Sequence, residues 1–244
     1  MNCRNCKSFL DSCILDLGAS PPSNAYLTEA QLNGTETYYP LRLLVCKNCW
    51  LVQTQDFADR EKLFNDDYAY FSSVSESWVK HAEKYVHDMT ARFGLNSSSL
   101  VIEIAANDGY LLQHLKKNGI PCLGIEPTKS TADAARSKGI EIIQDYFGRE
   151  LGETLANSGR SADLVLANNV LAHVPDINDF VSGVCRILKP DGIATFEFPH
   201  LLQMILKSEF DTVYHEHYSY LSFLSVSKIF ENNGLHVFDV EELP

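Results

Sequence analysis

The chain has 244 residues, 45% hydrophobic and 21% charged. That composition excludes a disordered or collagen-like polypeptide and leaves room for one domain of up to about 200 residues with a small satellite. With 20 basic against 32 acidic residues the net charge is −12, which argues against nucleic acid or an anionic membrane surface as a partner. No apolar run reaches the ~18 residues of a membrane span. The polar start Met1-Asn-Cys-Arg-Asn-Cys6 has no signal-peptide core, so the expectation is a cytoplasmic protein.

Seven cysteines is an odd count, and a reducing cytosol disfavours a disulfide framework. Cys3/Cys6 and Cys46/Cys49 form two C-x-x-C pairs in polar settings. A two-residue spacer lets both thiolates of a pair reach one tetrahedral ion about 2.3 Å away. Four thiolates close the coordination sphere, so the expected zinc is structural, with Arg4, Lys7 and Lys47 offsetting its negative charge. Cys13 is a spare that could compete as ligand; Cys122 and Cys185 sit in apolar runs and read as core. Residues 1–56, with Pro21-Pro22 and Asn33-Gly34, read as a zinc-binding domain of loops and small strands. Residues 57–95 read as a helical connector, because Trp78, Val79, Ala82, Tyr85, Val86 and Met89 recur at helical spacing before Gly94. Tyr68, Tyr70 and Phe71 precede that helix and are expected to pack beneath it.

From residue 100 strands alternate with helices. Leu100–Ile104, Cys122–Glu126, Ile140–Gln144, Asp163–Asn168 and Ile193–Phe198 are short apolar runs, and 109–117, 130–138 and 177–188 read as helices between them. A helix over about 224–233 leads into a further expected strand, Leu235–Val240. Continuous apolar strands alternating with helices predict an α/β domain over 96–244, a doubly wound and mostly parallel sheet.

Ligands of such sheets bind at the carboxyl ends of the strands. The first strand feeds the tight turn Glu103-Ile-Ala-Ala-Asn-Asp-Gly109, which is not G-x-G-x-x-G. Asp108 at the following helix would repel a pyrophosphate and suits a ligand with a cationic centre, such as S-adenosylmethionine (SAM). Glu126 ends the second strand, where an acid can accept both ribose hydroxyls. Asp145-Tyr146 follows the third, where an acceptor and a ring face could hold adenine. Glu126 as a solvated strand end and Asp145 as a helix cap are the plainer alternatives.

Taken together, the paired C-x-x-C, the Glu103–Gly109 loop, Gly124-Ile-Glu-Pro127, Asn168–Pro175, Glu197-Phe-Pro-His200 and Phe210–Ser219 resemble the sugar C-methyltransferases that act on nucleotide-linked 4-keto-deoxysugars. The resemblance runs from near residue 1 to the end. It implies a zinc domain, a class I SAM-dependent methyltransferase domain with a Rossmann-like fold, and a further domain that helps hold the nucleotide-sugar. Two features depart from the pattern. Ala105 stands where many SAM loops have their first glycine. The chain stops at Glu241-Glu-Leu-Pro244, before the last strand such sheets carry, which reads as a C-terminal truncation.

The resemblance places Glu103, Ala105, Asn107, Asp108, Gly109, Glu126, Asp145, Tyr146, Asn168 and Asn169 around SAM, and Tyr68, His173, Tyr214, Glu216 and His217 around the sugar. Abstraction of a proton α to a ketone needs a base, and the developing enolate needs hydrogen-bond donors. His217 is the expected base, with Glu216 orienting it or tuning its pKa, and Tyr214 and His173 are candidates for contacting the enolate or the substrate hydroxyls. A zinc-protease reading fails for want of H-E-x-x-H. An aromatic core loop over 214–220, an O- or N-methyltransferase on a small metabolite, and a SAM-binding but inactive fragment remain open. The expected partner is a small nucleotide-sugar, and the expected state a monomer.

Overall fold

The computed structural model describes residues 1–55, 57 and 70–243; Tyr68 and the first part of the expected connector lie outside them. The chain divides into two compact units that do not follow chain order. One comprises Met1–Leu63, Leu171–Cys185 and Phe198–Pro244, the other Phe64–Val170 and Arg186–Glu197. Among the described residues no helix is long and apolar enough to cross a membrane.

The second unit is a five-stranded parallel sheet formed by β4 (Val101–Ile104), β5 (Cys122–Ile125), β6 (Glu141–Ile143), β7 (Ala162–Asn168) and β8 (Leu188–Glu197). Numbered with β1–β3 in the other unit, the strand order is β6-β5-β4-β7-β8. The order reverses at β4, so the carboxyl ends of β4 and β7 open the crevice where such sheets take ligands. Helix α1 (Glu76–Phe93) starts at Ser75, whose side chain accepts the Trp78 N–H, and stops at Gly94 in the left-handed region with φ 64°. Its Ala82 and Val86 pack with Val101, Leu112, Ile120 and Leu164, joined by Trp78, Tyr85, Met89 and Phe93. Helices α2 (Leu112–Lys117), α3 (Lys129–Ser137) and α4 (Arg149–Asn157) connect the strands. Of these, α4 was not expected: only Leu151 and Leu155 carry its apolar spacing.

The first unit holds a four-stranded antiparallel sheet: β1 (Cys13–Ser20), β2 (Tyr39–Val45), β3 (Val52–Thr54) and β9 (Ser219–Tyr220), in that order. Val52 pairs with Tyr220 and Gln53 with Ser219, so the sheet that begins among the cysteines is completed by residues near the far end. Leu41, Leu43, Val52, Met204, Val213 and Tyr220 form its core. Helices α5 (Ile177–Ile187), α6 (Leu201–Lys207) and α7 (Phe223–Asn232) complete the described α-helices.

The expected strand at Leu235–Val240 is not formed; the segment is irregular, and Phe238 and Val240 are exposed. Strand propensity needs a paired neighbour to be realised, and no described strand pairs with it. Tyr70 is also exposed rather than packed beneath α1.

Gly124 sits where β5 packs most tightly. A Cβ there would lie 2.3 Å from Ile142 Cδ1 and 2.8 Å from Ala106 Cβ. The isoleucine tip can turn aside, but the alanine cannot. Gly124→Ala should therefore cost about 1–3 kcal/mol, read as a lowered urea midpoint with unchanged slope.

Candidate metal centre and active site

The two C-x-x-C turns fold alike. Lys7 and Trp50, each following its pair, take φ of 61° and 66°. Their N–H groups donate to the carbonyls of Cys3 and Cys46 at 3.0 and 2.9 Å. The four Sγ atoms lie within 4.8 Å of one another, with Cys3–Cys49 and Cys6–Cys46 both at 3.5 Å. A tetrahedral zinc with bonds near 2.3 Å needs sulfur–sulfur edges of about 3.8 Å, so the donor set fits a closed structural site. A hydrogen bond between Cys3 and Cys49 pushes the first thiol up and the second down, to about 4. Cys13 is exposed and bonds Leu15 O, outside the cluster.

The cations expected to offset the thiolate charge have further partners, and the charge of Cys3 acts on Arg4. Lys47 pairs with Asp11 at 2.7 Å, and Lys7 lies 4.0 Å from Asp176. Buried Arg4 donates to Pro175 O at 2.9 Å and lies over the Tyr218 ring. Its backbone N–H donates to Gln53 Oε1 at 2.8 Å. Arg4 thus ties the first knuckle to the loops carrying His173 and His217.

In the same unit, His217 Nδ1 lies 2.9 Å from Thr212 O and His173 Nδ1 lies 2.9 Å from Glu216 O. A carbonyl only accepts, so both rings carry their proton on Nδ1. His217 Nε2 is then an acceptor, and Tyr214 Oη–H donates to it at 2.9 Å. The His173 and His217 ring centres are 4.6 Å apart. Burial lowers the His217 pKa to about 4; burial and then the His217 charge lower that of His173 to about 3. The orienting contact expected from Glu216 comes instead from the Thr212 carbonyl. The Glu216 carboxylate accepts from Ser23 Oγ and Asn24 Nδ2, two residues that no local pattern marks. His215 faces Tyr39 O at 3.1 Å.

The second unit gathers the remaining candidates at the carboxyl ends of its strands. Ala105, Asn107 and Gly109 have φ of 58°, 49° and 74°, so the turn after β4 is left-handed three times. Ala105 bears that conformation without glycine's freedom, at about 1 kcal/mol. Glu126 Oε2 accepts from Asn107 N, and Oε1 from Thr128 N and Thr131 Oγ1. Burial raises its pKa, and these donors oppose the rise. Asp108 accepts from Ser73 and Lys138, neither of which the sequence reading picked out. At these strand ends three buried oxygens have no partner among the described residues: Glu103 Oε2, Asp108 Oδ1 and Asn168 Oδ1. Burial, then the charges of Glu126 and Asp108, push the Glu103 carboxyl well up. A pocket rich in unsatisfied acceptors fits a ligand that brings donors and positive charge, as the ammonium and sulfonium of SAM do. Asp145 is exposed and accepts from Tyr146 N. Asn169, with φ 53°, donates from Nδ2 to Glu197 Oε1.

A family model described as a methyltransferase domain matches residues 78–240, and another described as a zinc binding domain matches residues 3–64. The chain belongs to the class I SAM-dependent methyltransferases. Among curated relatives, the C-methyltransferase NovU of Streptomyces niveus is 35% identical over 240 residues, 98% of this chain and 56% of NovU. The chain therefore spans little more than half the length of that relative. A ubiquinone biosynthesis O-methyltransferase of Methylobacterium nodulans is 28% identical over 52% of this chain and 60% of its own length. Two solved structures share the fold. A SAM-dependent methyltransferase of Archaeoglobus fulgidus has a TM-score of 0.52 at 16% identity, covering 64% of this chain and 68% of that one. Magnesium protoporphyrin IX methyltransferase of Synechocystis, solved with bound SAH, has a TM-score of 0.51 at 18% identity, covering 66% and 74%. The methyltransferase cofactor is SAM, and the cysteine cluster is its zinc centre.

Elemental analysis should find about one zinc per chain. Cys46→Ser should lose it and open residues 1–55 to protease; a protease-resistant, metal-free N-terminus would contradict the assignment.

The two histidines also set an acid limb. Their native pKa values, about 3 and about 4, lie below the ordinary 6.5, so between these limits the unfolded chain binds more protons. Their contribution to stability is full above pH 6.5 and is lost as pH falls through that window. His217→Asn should lose about 1–2 kcal/mol less than wild type between pH 7 and 5, checked by urea midpoints at both pH values.

Proposed function

We propose that the protein transfers a methyl group from SAM to the carbon α to a ketone of a nucleotide-linked 4-keto-deoxysugar, through an enolate. The observation that carries this reading is the partly buried Tyr214–His217–Thr212 chain, in which a neutral imidazole with a fixed tautomer accepts a hydrogen bond from a phenol. The 35% identity to a C-methyltransferase supports the same chemistry.

In this reading Glu126 takes the ribose hydroxyls, and Asp145 and Tyr146 take the adenine. Glu103, Asn107, Asp108 and Asn168 hold the methionine end, with Ala105, Gly109 and Asn169 shaping the turns around it. When bound, SAM supplies an electrophilic methyl on a sulfonium. His217 is the base, and because Tyr214 caps its Nε2, the α-proton reaches it through the Tyr214 hydroxyl. His173, whose Nδ1 carries the proton and whose Nε2 therefore accepts from a sugar hydroxyl, holds the sugar together with Tyr68 and Glu216. With SAM bound, the enolate carbon held by these residues would take the methyl group, and the sulfonium would supply the leaving group as a neutral thioether. Only Val170, Leu171 and Ala172 separate Asn169 of the cofactor set from His173 of the proton-transfer set along the chain.

The test is deuterium wash-in at the α-carbon of nucleotide 4-keto-sugars in D2O without SAM, alongside methyl transfer with it. His217→Asn should slow exchange roughly a hundredfold or more while leaving SAM affinity near wild type. Methylation of oxygen or nitrogen without exchange would favour the O- or N-methyltransferase alternative, and SAM binding with neither would leave a binding module. Exchange at the normal rate in the variant would remove His217 from the mechanism.

A further inference from the structure

Glu197 ends β8, next to Asn168 in register at the end of β7. The residue after it in the crevice, Asn169, has φ 53°, a left-handed conformation that costs an asparagine roughly 1 kcal/mol and persists only where its surroundings over-determine it. Glu197 supplies two of the bonds that do so. Its carbonyl accepts the Asn169 N–H at 2.7 Å, and its Oε1 accepts from Asn169 Nδ2 at 2.9 Å.

The second carboxylate oxygen is held as well. Glu197 Oε2 lies 2.8 Å from His81 Nε2 on α1. The His81 ring stacks on Trp78, with centres 5.2 Å apart and planes at 23°, and Trp78 stacks in turn on Tyr110. One turn further along α1, Tyr85 Oη bonds Thr195 Oγ1, two residues before Glu197. The helix therefore grips the end of β8 at two places, and through Glu197 it grips the Asn168–Asn169 turn. That turn carries Asn168 Oδ1, a buried acceptor with no protein partner.

We infer that Glu197, braced by His81, is a positioning residue for SAM: it holds Asn169 in its left-handed conformation and so presents the Asn168 acceptor to the cofactor. The inference rests on the SAM-binding reading of this crevice. Both carboxylate oxygens of Glu197 are spent on Asn169 and His81, so the role assigned to it is positioning rather than contact.

Calorimetry with S-adenosylhomocysteine on the intact protein tests it, with melting temperatures recorded without ligand. Glu197→Ala should weaken binding about tenfold or more. Glu197→Gln keeps an acceptor for Asn169 Nδ2 and offers a donor to His81 Nε2, so it should restore affinity to within about threefold. A residue that merely stabilised the fold would lower the melting temperature without this rescue pattern. The Asn169→Gly background sharpens the mechanism. Glycine adopts the left-handed conformation unaided, so removing Glu197 there should cost much less than in wild type, a non-additivity that a cycle of the four proteins measures. If Glu197→Ala does not fold, Asn169→Asp removes the amide donor with Glu197 in place and should weaken binding at least tenfold. Wild-type affinity in Glu197→Ala, or in Asn169→Asp, overturns the inference while leaving the SAM crevice standing. A wild-type protein that binds no S-adenosylhomocysteine overturns the crevice reading and this inference together.

Discussion

Convergence of four thiols is the constraint on which the first unit depends. Its N-terminal segment is short and loop-rich, and many of its large side chains, Phe9, Tyr26, Leu32 and Trp50 among them, face outward. Such a segment cannot stabilise itself by burial alone, and a metal supplies folding free energy directly. The second knuckle runs into β3 within three residues of Cys49. β3 pairs with β9, and Thr54 bonds the carbonyls of His217 and Tyr218. The first knuckle reaches the same loop through Arg4, stacked over Tyr218. The position of the His217 ring is thus inherited, bond by bond, from cysteines more than 160 residues away in sequence.

The second unit is organised by a different economy of charge. Parallel strands bury both faces, and here they bury Glu103, Asp108 and Glu126 together. Each answers differently. Glu126 is satisfied by backbone and hydroxyl donors, Asp108 is half neutralised by Lys138, and Glu103 keeps an oxygen with nothing opposite it. Buried acceptors gathered in this way suit a ligand that brings donors and positive charge better than they suit a pyrophosphate, a sharper argument than the absence of a glycine fingerprint.

Much of this was readable from the sequence, and the parts that were not share a physical reason. The five parallel strands announce themselves as continuous apolar runs, and the cysteine spacing states its own chemistry. Periodicity is a local signal, however. The partner of Glu216 is Asn24, the partner of Asp108 is Lys138, and the partner of Glu197 is His81. Each pair is decided by how distant elements meet, which leaves no trace in a window of a dozen residues. β1 escaped notice because its side chains are mostly exposed and its register is twice interrupted. At Leu235–Val240 the error ran the other way: a good strand sequence pairs with no described strand.

The pairing of β3 with β9 has a bearing on how the protein is made. Gln53 and Ser219 meet across the antiparallel ladder, while the chain between them contains the whole of the parallel-sheet unit. A ribosome delivers the cysteines first, yet the sheet they belong to has an open edge until residue 220 emerges. During that interval β3 is an unpaired strand beside reactive thiols, the kind of exposed edge that invites mispairing. Early capture of the metal and prior collapse of the intervening unit both shorten the search for β9, since closing a long flexible loop is slow and entropically costly. The order of synthesis and the order of assembly therefore run against each other in this chain.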